Sequence, residues 1–178
     1  CHARFVNTAM TATLLGAVSS DQLEDGRVVS GAGGQHDLIA MAHELEGARS
    51  IVAVRSTRRQ DRRTRSNIVW RYANTTVPRQ LRDIVVTEYG IADLRGKSDR
   101  DCIAAMVQVA DASFQAQLIE QSRRAGKLER AFALPERATA NSIERVEAAL
   151  GVARREGLLP QFPLGTEMTE AEQSLAGP

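Results

Sequence analysis

Three glycines within four residues, Gly31, Gly33 and Gly34, impose the strongest local constraint on this 178-residue chain. They lie in VVSGAGGQHD (28–37), where Val28 and Val29 run into Ser30 and an apolar pattern resumes at Leu38-Ile39. That order predicts a strand at Arg27–Ser30, a turn without Cβ atoms, and a short helix over Asp37–Leu45 that stops at Gly47. Such a turn exposes bare backbone N–H groups beside a helix N-terminus, where they can hold a phosphate or a developing oxyanion. Two nucleotide readings fail on spacing. A dinucleotide fingerprint needs a glycine at position 36, which is His36, and no Gly-Lys-Ser/Thr follows for a P-loop.

The rest of the chain alternates short β-branched runs with helical stretches. Residues 5–20 suggest a short helical start and a strand near Thr13–Val18, and Asp25-Gly26 suggests a turn. Ser50–Val54, Asn67–Arg71 and Ile84–Thr87 are too short for helices and rich in β-branched residues, so they read as buried strands, with Pro78 in a loop. From Ser98 the period changes. Ser98 with Asp101 resembles a capping start, and Ile103, Met106, Val107 and Ala110 fall at helical spacing. A break at Asp111–Ser113 precedes a second apolar face of Phe114, Leu118 and Ile119. Asn141 and Glu144 can cap a helix with the stripe Ile143, Val146, Leu150 and Ala153, and Thr169 with Glu172 starts a last short one. The pattern predicts an α/β layer with a largely parallel sheet and flanking helices in the first two-thirds of the chain, to which the tail adds helices outside it.

A formal net charge of +1 gives no global field for nucleic acid or an anionic membrane. No apolar stretch approaches the ~20 residues of a membrane span, and Met10–Val18 reads as core rather than as a signal peptide. Cys102 falls on an amphipathic helix, which favours a reduced, buried thiol and a cytoplasmic location. The three histidines, His2, His36 and His43, are too scattered for a metal cluster. The chain begins at Cys1 and enters at once what reads as mid-domain sequence, as a piece of a larger protein would.

The stretch IVVTEYGIADLRGKS (84–98), with SGAGGQ upstream, SNIVW at 66–70 and TTVPRQLRD at 75–83, resembles the C-terminal domain of the acetyl-CoA hydrolase/transferase family. The similarity runs from about Phe5 to Gly126, with the motifs in matching order and spacing. The resemblance implies the open, largely parallel α/β sheet of the CoA-transferase fold with flanking helices over 1–126, and a helical C-terminal extension, 127–178, packed on it. It further implies a covalent mechanism, in which a glutamate attacks the acyl-CoA thioester and then carries CoA as a glutamyl thioester. It implies coenzyme A as substrate, with no permanently bound cofactor, and a carboxylic acid or water as acceptor. It also implies an N-terminal half of the same enzyme as partner, with a homo-oligomer possible. In relatives the nucleophilic glutamate lies upstream of the matched region, so this chain is expected to be inert alone. A non-catalytic CoA- or protein-binding module keeping the fold is the alternative.

What the chain can contribute is the rest of a site. Gly31, Gly33 and Gly34 can aim amides at the thioester oxygen, an effect of ~3 kcal/mol per donor, and Gln35 can add a side-chain donor or orient the carboxylate. Glu88, in Thr-Glu-Tyr-Gly at a strand end, suits a structural role toward loop amides better than that of nucleophile. Tyr89, Gly90, Arg95 and Lys97 flank a second loop that can meet the CoA chain or its phosphates. Residues 55–65 hold six arginines against Asp61, with no aromatic interleaved for nucleic-acid stacking; a solvated loop, or one touching the ADP part of CoA, is expected.

Overall fold

A computed structural model describes residues 2–31, 33–160, 166–169 and 171–172. The chain divides into two compact units, residues 1–142 and 143–178, so the segment after Gly126 remains with the first unit as far as Ser142.

The first unit is built on a four-stranded sheet in the order β1 (Arg4–Ala9), β4 (Arg49–Val54), β8 (Ile84–Thr87), β9 (Gly90–Asp93). β1, β4 and β8 are parallel, and β9 turns back antiparallel on β8. The predicted parallel core is therefore present. Residues 5–20 differ from expectation. They form three strands, β1, β2 (Thr11–Thr13) and β3 (Val18–Ser19), with no helix. The reason is a period of two: Phe5, Asn7 and Ala9 alternate in burial with Arg4, Val6 and Thr8, in register with β4 from Arg4↔Arg49 to Ala9↔Val54. β2 joins β3 and β7 (Ile68–Val69) in a small second sheet, so the run expected at Asn67–Arg71 contracts to two residues.

The strand expected at Arg27–Ser30 does not form. Val28 and Val29 are 66% and 52% exposed, and the N–H groups of Val29 and Ser30 bond to Asp21 O. Apart from one antiparallel bridge between Gln22 and Val28, no strand pairs with this run among the described residues. The arginine-rich stretch is likewise a hairpin rather than a loop. β5 (Thr57–Gln60) pairs with β6 (Arg63–Ser66) across Asp61 and Arg62, which both take positive φ, the mirror-image turn whose twist suits two antiparallel strands.

Helix α1 (Gln35–Glu44) packs on β1 and β4, and α2 (Asp99–Gln108) packs on β9 and on α3 (Ala112–Arg124). The cap expected at Ser98 is present, its Oγ accepting from Asp101 N at the start of α2. At the expected break, Asp111 accepts from Ser113 N and so caps the start of α3. Asn141 does other work: its Nδ2 donates to Gln108 O and Ala110 O, closing the C-terminus of α2. Leu14, Ile39, Ile68, Leu94, Ile103, Met106 and Val107 fill the core, with Cys102 buried among them.

In the second unit, α4 (Ile143–Arg155) carries Arg154 and Arg155 in its last turn, where cations favour the helix dipole. Thr169 and Glu172 exchange the expected capping bonds, and the remainder of that short helix falls outside the described residues.

Candidate active site

The C-terminal ends of the three parallel strands open onto a cleft of about 600 Å³. Parallel topology accounts for its position, because every strand ends there and the connecting segments must leave from that edge. Ala9 ends β1 and Met10 follows it, Val54 ends β4, and Thr87 ends β8 with Glu88 next; Leu23 and Tyr72 come from the loops. The walls are mainly apolar, with a few polar groups set among them.

Glu88 and Tyr89 form the two-residue turn between β8 and β9, where Thr87 pairs with Gly90. Glu88 is clamped by one residue of the loop after β4. Ser56 donates its backbone N–H to Oε2 at 3.0 Å and its hydroxyl to Oε1 at 2.5 Å. Ser56 is fully buried. Two donors from one residue fix the orientation of this carboxylate. The Tyr89 hydroxyl donates to Asp111 Oδ2 at 2.7 Å, and burial, followed by that hydrogen bond, pushes its phenol up from the ordinary value. Gly90 takes φ +152°, and a Cβ there would lie 3.6 Å from Val109 Cγ1.

The glycine turn flanks the same edge. Gly34 is the N-cap of α1 and offers no side-chain bond to it, so the helix amides at this end remain unsatisfied by a cap. Gly33 takes φ +55°, and a Cβ added at Gly31, Gly33 or Gly34 would meet nothing within 4 Å. The turn is thus open on its outer side. Gln35 is buried, and its Nε2 donates to Thr8 O at 3.0 Å, tying the start of α1 to the end of β1. Its Oε1 is buried without a hydrogen-bond partner.

Arg95 and Lys97 lie elsewhere. Because β9 runs back along β8, they emerge at the N-terminal end of the sheet, away from Glu88. Arg95 donates to Asp83 Oδ2 at 2.6 Å and to Ala48 O at 2.9 Å, while Lys97 lines a separate groove with His43, Arg79 and Asp99. The structure sets Gln35 beside the end of β1 and Glu88 in the cleft at the end of β8, with Tyr89 and Gly90 following it. Gly31, Gly33 and Gly34 lead into α1 without lining the cleft, and Lys97 stands in the separate groove. Two cleft residues escaped the sequence reading: Asn67, lost in an apolar run, and Tyr72, in a stretch without periodicity. Among the described residues, no group of three or more His, Cys, Asp or Glu side chains is placed to hold a metal ion, and no helix is long and apolar enough to cross a membrane.

An α/β unit with its cleft at the strand C-termini, a glycine turn at a helix start and a clamped glutamate defines a class of domain. Comparison with known proteins places it. Residues 2–122 match the acetyl-CoA hydrolase/transferase C-terminal domain, and the chain belongs to that family. It is 32% identical over 120 residues to a 4-hydroxybutyrate coenzyme A transferase of Clostridium kluyveri, covering 67% of this chain and 28% of that protein. It is 30% identical over 124 residues to a butyryl-CoA:acetate CoA-transferase of Anaerostipes caccae, again covering 67% and 28%. Among solved structures, RipA from Yersinia pestis matches with a TM-score of 0.62 at 28% identity, covering 70% of this chain and 28% of that one. A 4-hydroxybutyrate CoA-transferase from Porphyromonas gingivalis matches with a TM-score of 0.53 at 30% identity, covering 68% and 26%. The chain thus spans little more than a quarter of the length of these relatives.

Proposed function

We propose that this chain is the C-terminal domain of a CoA-transferase or acyl-CoA hydrolase and supplies the substrate-holding half of its active site. The observation that carries the reading is the coincidence of the family match over residues 2–122 with an apolar cleft at the strand C-termini. In this reading an acyl-CoA thioester enters the cleft, and a glutamate from outside the chain attacks its carbonyl carbon. The C–S bond breaks, giving a mixed anhydride and CoA thiolate. The thiolate then attacks the glutamyl carbonyl and releases the first carboxylic acid, leaving a glutamyl-CoA thioester for an acceptor carboxylate or for water.

The amides of the Gly31–Gly34 turn donate to the carbonyl oxygen as it gains negative charge. Gly33 suits this because, among the described residues, nothing lies within 4 Å of where a Cβ on it would stand. Glu88, held by Ser56, positions the loop after β4 against the cleft and is not the nucleophile. The N-terminal half of the enzyme is the partner that completes the site, and the cytoplasm is the location the family implies.

The test is to assay the purified chain, and the full-length natural polypeptide that contains it, for thiol release from acyl-CoA and for acyl exchange with acetate. The full-length polypeptide should turn over and the isolated chain should not. Turnover by the isolated chain that disappears in Glu88→Gln would make Glu88 the nucleophile and overturn the assignment.

A further inference from the structure

The hairpin β5–β6 carries a row of arginines, and one of them differs from the rest. Arg59, Arg62, Arg63 and Arg65 are exposed, whereas Arg58 is half-buried and lines the cleft. Its Nη1 donates to Asn67 Oδ1 at 2.5 Å and to Ser66 O at 3.3 Å, both neutral acceptors. Asn67 is itself fixed, since it is buried and its Nδ2 donates to Arg55 O at 2.9 Å. The guanidinium is therefore held in place by a chain of hydrogen bonds. Among the described residues no carboxylate lies within ion-pair distance of it. Glu88, the acid in the same cleft, is already engaged by Ser56. A planar cation withdrawn from solvent, pre-oriented and without a counter-ion, is a receptor for a planar oxyanion. The apolar walls formed by Ala9, Met10, Val54 and Leu23 suit a short carbon chain leading to it.

We propose that Arg58 binds a carboxylate at the far end of the acyl group, so that the cleft selects monothioesters of short dicarboxylic acids over neutral acyl groups of equal length. This inference rests on the acyl-CoA reading above and assigns its substrate class. The 3′-phosphate or diphosphate of CoA offers the same anionic chemistry from another source, and the test separates the two.

The experiment uses the full-length natural polypeptide and compares kcat/KM for succinyl and butyryl thioesters, each made with CoA and with dephospho-CoA. Arg58→Gln should lower kcat/KM for the succinyl thioesters by about 10- to 100-fold, the effect of one charge-assisted hydrogen bond. The butyryl thioesters should be unaffected, and the loss should be the same with dephospho-CoA. An equal loss on both acyl groups would overturn the proposal, as would a loss that disappears with dephospho-CoA, which would assign Arg58 to the phosphate. If Arg58→Gln does not fold, Arg58→Lys replaces it: a narrowed succinyl preference supports the proposal and an unchanged one overturns it. Calorimetric binding of free succinate and butyrate separates this proposal from the reading beneath it. If no thioester is turned over, the acyl-CoA reading fails; succinate binding that is lost in the Arg58 variant would still uphold the carboxylate site, and its absence in the wild type would end it.

Discussion

Arg95 Nη2 lies 2.6 Å from Asp83 Oδ2, joining the loop after β9 to the residue that precedes β8. The Asp83 side chain is wholly buried and also takes Arg49 at 2.7 Å and the backbone N–H of Ser50 at 2.7 Å. Three segments at the N-terminal end of the sheet are thereby fastened to one carboxylate.

Replacing that carboxylate leaves Arg95 without its counter-ion and Arg49 with Asp93 alone, and puts a neutral amide in the buried position that three donors share. Asp83→Asn should therefore destabilise the fold by about 3 kcal/mol or more. Urea denaturation followed by circular dichroism measures this directly, and a change below about 1 kcal/mol would show that water relieves the buried charges.

Two glycines should respond in opposite ways to alanine. Gly16 takes φ +88°, and a Cβ there would lie 2.8 Å from Arg82 Cβ. Gly16→Ala combines backbone strain with a clash against a side-chain root that cannot swing away, so a loss above about 2 kcal/mol is expected. Gly33→Ala meets only the strain of φ +55°, about 1 kcal/mol. In the full-length polypeptide it should nonetheless reduce kcat by on the order of 10²-fold if its amide serves the oxyanion. Matched melts and rates for both variants separate the two effects.

Tyr89 gives the fold an alkaline sensitivity. Burial, then the bond to Asp111, raises the phenol pKa in the folded state. The native form thus holds its proton more tightly than the unfolded chain does. The resulting stability is present in full below about pH 10 and is lost as the pH climbs toward the folded value. Tyr89→Phe should cost about 1 kcal/mol at neutral pH and make the decline above about pH 10 shallower. Stability curves of both proteins from neutral pH to 11 test it; parallel curves would refute the assignment.

The buried runs Ser50–Val54 and Ile84–Thr87, the cap at Ser98 and the break at Asp111 were legible in the sequence because each rests on a local pattern that its neighbours reinforce. Val28-Val29 misled because β-branching marks a residue fit for a strand without supplying a partner strand. β1 was missed for the converse reason. Its alternation is masked by small and polar residues such as Asn7 and Thr8, and its strand form depends on a partner far along the chain. The site was legible in part. Glycines and a TEYG turn announce themselves, but composition gives all six arginines of 55–65 the same weight. Only its place in the first half of β5, which is half-buried while Arg59 and Gln60 are exposed, together with the buried Asn67, sets Arg58 apart from its exposed neighbours. Lys97 was grouped with Glu88 because they are close in sequence, and the reversal of β9 separates them.

The parallel register of β1 with β4 also governs how the molecule can assemble. Arg4 must find Arg49 and Ile51 must find Ile84 before the sheet gains a single ladder bond between parallel strands. Each pairing closes a long loop whose entropy is lost before any contact compensates it. The β5–β6 and β8–β9 hairpins carry no such burden and can form within microseconds. Refolding of this chain should therefore wait on the arrival of its first strand, leaving the apolar strands β4 and β8 uncovered in the interval and making β1 the segment whose docking sets the pace.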